Sequence, residues 1–370
     1  MKKVKVLFFI YQMGAGGAAR TLLNLINNLD RERFQPVLVT LNYQGSYESE
    51  IKDDVIFHKL DTKRLSRSVF KLARVIRQEE VDIVFSTIPR VNTIAVLAKI
   101  LSFTKAKSIV REASNLDGDF VERLRLRGFG LIYNLSDQVI SLSEGVKDNL
   151  IKRYRVKPER IKVIYNPVDI KEITKKAEEP LSISHQALFA ADRKNIVTAG
   201  RLVDQKDQAT LIKSFAQVNQ QLKSRLIILG EGPLETELKQ LAEQENVSQY
   251  VHFVGFQKNP YTFLKAADLF VLSSKFEGFA HVVAEALATG TPVVSTNCKS
   301  GPAEILVNGR YGRLVEVGDI DGLKENMIDV LHLANSELND IINEGYERVQ
   351  FFNVDDIVEQ YQSVFEDVIQ

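Results

Sequence analysis

The stretch SSKFEGFAHVVAEALATGTPVVST, residues 273–296, sets out one strand–helix–strand unit in twenty-four residues. The run DLFVLSS that leads into it reads as a buried strand. Glu277 and Gly278 fall in the loop that follows, where a glycine lets a ligand come near the backbone. A helix is expected from Ala280 or His281, carrying Glu285. Gly290 stops that helix, and Pro292 opens the next strand, PVVST. One carboxylate thus stands in a loop before a helix, and a second stands about two turns into it. Such a pair can hold two separate sets of hydroxyls. The helix-start N–H groups between them can take a phosphate.

The same alternation continues outward in both directions. Upstream, NIVTAGRLVDQKDQATLIKSF places Arg201, next to Gly200, just past a strand end and Lys206 just before a helix. A guanidinium fork and an ammonium point charge there suit a diphosphate. The runs RLIILG, YVHFVGF and TPVVST complete the second half. In the first half VKVLFFI, PVLVTL, DVIFHKL, VDIVFST, KSIVRE, DQVISLS and IKVIYN read as strands, with segments of helical length between most of them. Strand–helix alternation predicts parallel sheets covered by helices on both faces. The pattern pauses over residues 167–194, which read as a linker. The expected class is therefore α/β, with two Rossmann-like doubly wound domains, 1–166 and 167–350, whose strand ends face a cleft. In residues 351–370 an amphipathic helix puts Ile357, Tyr361, Phe365 and Ile369 on one face, and it is expected to pack back on the first domain.

A chain of 370 residues exceeds one ordinary core. Its 45% hydrophobic and 26% charged residues are those of a soluble globular protein. The net charge is zero, yet residues 1–180 carry 32 Lys and Arg against 22 Asp and Glu, a balance of +10. Residues 181–370 carry 16 against 26, a balance of −10. The first half is the one suited to an anionic partner. Cys298 is the only cysteine, which excludes an internal disulfide and fits a reducing, cytoplasmic setting. MKKVKVLFFIY reads as a buried first strand rather than a leader, and no apolar run is long enough for a membrane span. The histidines at 58, 185, 252, 281 and 332 lack metal-ligand spacing, so no metal is expected.

The loop MGAGGAAR, residues 13–20, fits the dinucleotide pattern through Gly14, Gly16 and Ala19. The second strand, however, runs into Asn42, Tyr43, Gln44 and Gly45, with no acid for a ribose. Two other readings remain. The glycines serve a tight turn that needs positive φ, or the helix start serves another anion.

The segment EGFAHVVAEALATGTPVV resembles the E-x7-E motif of the retaining glycosyltransferases of family 4, which have the GT-B fold. AGRLVDQKDQATLIKSF, LIILGEGPLETELKQLA, VHFVGFQKNPYTFLKAADLFVLSS, SGPAEILVNGRYGRLV and GGAARTLLNLINNL follow in that family's order. The resemblance implies a nucleotide-sugar donor, most simply a UDP-sugar, bound by the second domain without a cofactor. It implies Arg201 and Lys206 at the diphosphate, Glu277 at the transferred sugar, and Glu285 at the ribose hydroxyls. It sets the backbone of Gly278, Phe279 and Ala280 against sugar and phosphate. Gly230, Gly232 and Phe256 would lie by the base, and Gly16 and Gly17 would close over the phosphates or face the acceptor. Glu304 fits either a site role or a helix cap.

Many members carry a first-domain histidine near the reacting sugar. The matching stretches here, FSTIPRVNTI and VREASNLDG, have none, and Glu112 or Ser114 is the candidate replacement. DGD at 117–119 and DID at 319–321 match the D-x-D of metal-dependent GT-A enzymes, but two α/β units with E-x7-E argue against that class. VERLRLRGFGLIY, residues 121–133, mixes Arg123, Arg125 and Arg127 with leucines and aromatics, and KRLSRSVFK, residues 63–71, is similar. Both read as contacts for an anionic membrane or a lipid diphosphate. A lipid-linked saccharide on the inner face of the plasma membrane is the expected acceptor, in the building of a surface polysaccharide. No nucleic-acid surface is expected. A protein or soluble acceptor, a nucleotide-sugar-binding protein without activity, and a dinucleotide-dependent oxidoreductase are the competing readings.

Overall fold

The computed structural model describes residues 3–14, 16–113, 115, 118–189 and 193–370. Ala15 of the glycine loop, Ser114 and Asp117 lie outside the described residues. The chain divides into two compact units, Met1–Pro167 with Phe352–Gln370, and Val168–Phe351.

The first unit holds strands β1 (Val4–Phe9), β2 (Phe34–Leu41), β3 (Ile56–Leu60), β4 (Ile83–Thr87), β5 (Lys107–Glu112), β6 (Gln138–Ser141) and β7 (Ile161–Val163). They form one parallel sheet in the order β3-β2-β1-β4-β5-β6-β7. Successive side chains of a strand point to opposite faces. Val6, Phe8 and Ile10 therefore enter one core, with Leu22 and Leu25 of helix Gly17–Asn28 and Tyr361 and Phe365 of helix Val354–Ile369. Leu7 and Phe9 enter the other, with Leu72 and Ile76 of helix Val69–Gln78 and Val91 and Ala95 of helix Pro89–Ser102. Helix Phe120–Tyr133 packs beside Pro89–Ser102.

The helix Val354–Ile369 thus completes a core built by the other end of the chain. Ile357, Tyr361 and Phe365 are buried, but Ile369 is 39% exposed, so the apolar stripe expected on this helix ends one turn early. A polar tie fixes it as well. Arg111, only 1% exposed at the end of β5, donates from Nε to the Tyr361 hydroxyl at 3.2 Å. It also donates to Thr87 Oγ1 at 3.1 Å and to Asn166 Oδ1.

The second unit holds β8 (Lys194–Ala199), β9 (Ser224–Leu229), β10 (Val251–Gly255), β11 (Leu269–Leu272), β12 (Val293–Thr296) and β13 (Arg313–Val315). They form a parallel sheet in the order β10-β9-β8-β11-β12-β13. β13, in the stretch SGPAEILVNGRYGRLV, was not among the expected strands. The stretch read as a linker is partly ordered into helix Ile170–Ala177. Asp169 caps it by accepting from the Glu172 N–H at 2.9 Å, and Ile170, Ile173 and Ala177 turn inward. Both sheets are doubly wound, with the order reversing between β1 and β4 and between β8 and β11. The α/β class read from the alternation holds. Among the described residues no helix is long and apolar enough to cross a membrane.

Tyr361→Phe leaves a buried guanidinium N–H without an acceptor. It should lower the unfolding free energy by about 1.5–3 kcal/mol, the range for hydrogen bonds to charged groups. Urea unfolding measures this, and an unchanged midpoint would show that Arg111 does not depend on Tyr361.

Candidate active site

Ligands of doubly wound sheets bind beyond the strand C-termini where the order reverses. In the second unit that place is β8/β11. The loop after β8 carries Gly200, Arg201 and Lys206, and the loop after β11 carries Ser274, Glu277 and Gly278. The two loops are bonded together. Lys206 Nζ lies 2.6 Å from Glu277 Oε1, with side-chain exposures of 18% and 9%. The Ser274 hydroxyl donates to the same oxygen at 2.7 Å. Ser273 Oγ donates to the Lys206 carbonyl at 2.9 Å, and Gln205 Nε2 to the Phe276 carbonyl at 2.8 Å. From the other side, Ser300 Oγ donates to the Glu277 carbonyl at 2.9 Å.

This geometry gives Glu277 a definite posture. Both side-chain donors hold Oε1, and among the described residues no group donates to Oε2. Arg201 is exposed and makes no ion pair among the described residues. Its loop is set by Gln208, whose Nε2 donates to the Arg201 carbonyl at 3.0 Å.

Between the carboxylates the backbone is strained. Ala280 sits at φ 65°, ψ 62°, in the left-handed region that a side chain disfavours. Helix His281–Ala288 starts directly after it. The Phe279 side chain is buried with its ring 5.4 Å from that of His281. Glu285, on that helix, accepts from the Tyr261 hydroxyl at 3.4 Å. Gly230 and Gly232 bring the loop after β9 onto the Arg201 loop. A Cβ on Gly230, at φ 133°, would lie 2.0 Å from the Gly200 carbonyl oxygen, and one on Gly232 would lie 2.3 Å from that of Leu202. The Phe256 N–H donates to Glu231 Oε1 at 3.3 Å, and its ring is 45% exposed.

Other residues singled out by the sequence have different roles. Gly16 and Gly17 lie at the start of helix Gly17–Asn28, in the first unit. Neither they nor Gly14 has positive φ, and Gly16 is in extended backbone, so these glycines do not supply the positive φ expected of them. The close approach is made by Gly45, where a Cβ would lie 2.3 Å from the Met13 carbonyl oxygen. Glu112 is fully buried and accepts from the hydroxyls of Tyr133 at 2.6 Å and Tyr154 at 3.4 Å. It is enclosed by tyrosines, not presented as a base. Burial and the Glu112 charge hold the Tyr133 hydroxyl well above its ordinary pKa. One aspartate of each D-x-D triplet serves as a cap: Asp119 accepts from the Glu122 N–H and Asp319 from that of Gly322, each at 2.9 Å. Glu304 is in the short helix Pro302–Ile305, at its third residue. Ser274, Gln208 and Ser300 were not read from the sequence, because a lone serine or glutamine carries no spacing signal.

The family model for Glycosyltransferase Family 4 matches residues 15–172, and that for Glycosyl transferases group 1 matches residues 182–348. The chain belongs to this glycosyltransferase family. The transferase is 29% identical over 343 residues to a Campylobacter jejuni enzyme, covering 88% of this chain and 90% of that one. That relative is named N-acetylgalactosamine-N,N'-diacetylbacillosaminyl-diphospho-undecaprenol 4-alpha-N-acetylgalactosaminyltransferase. A lipopolysaccharide core biosynthesis glycosyltransferase of Rhizobium meliloti is 35% identical over 157 residues, 42% of this chain and 45% of that one. Among solved structures, Anabaena HepE in complex with UDP-glucose superposes with a TM-score of 0.84 at 22% identity, over 98% of this chain and 99% of that one. The transferase therefore has the GT-B fold.

Two outcomes follow for the transferase. Lys206→Met strands a buried carboxylate and should cost about 3 kcal/mol, the low end for a broken buried pair because Lys206 keeps some exposure. Chemical denaturation followed in the second unit reads this, and a loss under ~1 kcal/mol would mean that Glu277 is not held by Lys206. Burial, with the Glu277 charge adding to it, pushes the Cys298 thiol up to about 12. A raised thiol pKa keeps the neutral, unreactive form. Cys298 should thus resist disulfide reagents at pH 8 until the protein unfolds, and fast native-state labelling would contradict its burial.

Proposed function

We propose that this glycosyltransferase moves a sugar from a UDP-sugar, with retention of configuration, onto a lipid-linked saccharide bound for a surface polysaccharide. The observation that carries the donor side is the bonded pair of loops at the β8/β11 reversal. Among the described residues it offers an Arg201 with no ion pair, a fixed Lys206 and a Glu277 with one oxygen unclaimed. Arg201 grips the diphosphate as a fork. Lys206 donates one of its three N–H bonds to Glu277 and has others to give. Glu277 Oε2 accepts from a hydroxyl of the transferred sugar, and Glu285 accepts from the ribose. The exposed Phe256 ring and the Gly230–Gly232 loop flank the base.

In the reaction the acceptor hydroxyl attacks the anomeric carbon on the face from which the diphosphate leaves. The bond from that carbon to the phosphate oxygen breaks, and the hydroxyl proton passes to the departing diphosphate. A base from the protein is then unnecessary, which accommodates the enclosed Glu112. Negative charge grows on the leaving group, and Arg201 and Lys206 stabilise it electrostatically. Transfer is accordingly expected to survive a metal chelator. The acceptor class and the transfer of a hexosyl or N-acetylhexosaminyl group rest on the names of the relatives. Gly16 and Gly17, with an uncapped helix start and open space above Gly16, are assigned to phosphate or acceptor on the first unit.

Calorimetric titration with UDP, GDP, ADP and NAD tests the donor. UDP should bind, and Arg201→Ala should lose about 1.5–3 kcal/mol of that affinity. Glu285→Ala should weaken UDP binding, whereas Glu277→Ala should mainly reduce transfer. Preference for GDP or ADP would change the donor, and full activity in both glutamate variants would dismiss the site.

A further inference from the structure

The loop after β8 carries both cations of the donor site, and it holds them by different means. Lys206 is fixed through its own ammonium on Glu277. Its stem lies against Gly200, where a Cβ would come within 3.1 Å of Lys206 Cε. Arg201 is exposed and makes no ion pair among the described residues. A long side chain of this kind loses rotamer freedom when it grips a ligand. What is fixed beforehand is its backbone.

The neighbours of Arg201 are pinned to the strand and loop beside them. The Gly200 N–H donates to the Leu229 carbonyl at 2.9 Å, and the Leu202 N–H to the Glu231 carbonyl at 3.0 Å. The Arg201 carbonyl takes two donors, the Val203 N–H and Gln208 Nε2, each at 3.0 Å. Gln208 opens the helix Gln208–Gln221 and reaches back across Asp207, which sits in the left-handed region at φ 46°, ψ 45°. Asp207 tolerates that conformation through local bonds. Its carboxylate accepts from the Thr210 hydroxyl at 2.8 Å and from the Thr210 N–H at 3.4 Å.

Gln208 is an unfavourable residue for the fold at this place. It is only 3% exposed, and its Oε1 is buried with no hydrogen-bond partner among the described residues. A buried acceptor left unpaired destabilises a protein. An apolar chain of the same length would remove that defect. It would strand nothing in exchange, because the Arg201 carbonyl keeps the Val203 N–H. Two other buried atoms of the second unit lack a partner in the same way, Asn195 Oδ1 and Ser224 Oγ, and both stand at the N-terminal starts of β8 and β9. Gln208 stands at the opposite end, where the ligands of such a sheet bind. A broken local rule at that end marks a functional constraint.

We propose that Gln208 is a positioning residue for the donor diphosphate. Its amide fixes the peptide plane that follows Arg201 and so aims the guanidinium, while its own oxygen stays unpaired. This rests on the assignment of Arg201 to the diphosphate. Lys206 and Gln208, on either side of Asp207, then set both cations, one directly and one through the backbone. The effect is confined to the phosphates, because ribose and base are assigned to Glu285 and to the Phe256 side of the site.

The test compares the wild type, Gln208→Met, Arg201→Ala and the double variant. UDP binding is read by calorimetry, uridine binding by ligand-observed NMR, and stability by urea unfolding. Gln208→Met should weaken UDP binding about two- to tenfold, the equivalent of one neutral hydrogen bond. It should leave uridine binding unchanged and keep or raise the unfolding midpoint. In the Arg201→Ala background it should cause no further loss, since the group it aims is gone. Unchanged UDP affinity, an equal loss for uridine, or a loss that adds in full to that of Arg201→Ala would overturn the proposal. So would a lowered midpoint, which would show that Gln208 serves the fold. A wild type that preferred GDP or ADP would be compared with that nucleotide and its nucleoside. A wild type that bound none of them would remove the donor reading and this role together. Binding that Arg201→Ala weakens and Gln208→Met does not would remove the role of Gln208 alone.

Discussion

Every strand pairing in both sheets is parallel, and a parallel sheet has no face to spare for water. Both sides must be roofed by helices. In the first unit the crossovers supply one roof, with helices Val69–Gln78, Pro89–Ser102 and Phe120–Tyr133 and the helical segment Glu144–Tyr154. The other side receives Gly17–Asn28 and then needs Val354–Ile369, which arrives from the far end of the chain. The alternation of Val6 and Phe8 with Leu7 and Phe9 is the direct expression of that need. Arg111, buried among Tyr361, Thr87 and Asn166, converts an apolar lid into one with a fixed register.

The same architecture explains why Lys206 and Glu277 meet where they do. Strand order reverses at β8/β11, so the loops after these neighbours diverge in sequence but meet in space. Lys206 and Glu277 are seventy-one residues apart and share a proton-donating contact of 2.6 Å. A buried pair of this kind contributes little net stability, because desolvation offsets attraction. Its value lies in posture. It turns one carboxylate oxygen toward Lys206 and Ser274 and leaves the other without a donor among the described residues. The left-handed Ala280 belongs to the same logic, since strain at a loop–helix junction persists only where the surroundings enforce it.

Much of this was legible in the sequence, and the failures share a physical cause. Period-2 and period-3.6 patterns exposed twelve of the thirteen strands among the described residues, and β13, Arg-Leu-Val, escaped. The places of Arg201, Lys206 and Glu277 on the loops after β8 and β11, and of Glu285 on helix His281–Ala288, were readable because clear strand and helix patterns bound those loops. Long-range contacts were not readable. Glycines at 14, 16 and 17 suggested a tight turn, yet Gly45 makes the close approach to Met13. Glu112 looked available until Tyr133 and Tyr154 closed on it from other segments. Residues 167–194 lacked strands and so read as a linker, although Ile170, Ile173 and Ala177 mark a helical face.

The returning helix has a consequence for how the protein is made. Translation delivers the first unit's strands before the second unit exists, and domains tend to fold as they emerge. Here the earliest-made sheet keeps Val6, Phe8, Phe85 and Ile109 without their final cover until Val354–Ile369 has left the ribosome. The second unit, contiguous from Val168 to Phe351, has all its parts sooner. The half synthesised first is therefore finished after the second unit, and a chain stalled before Val354 leaves that half with an open apolar face.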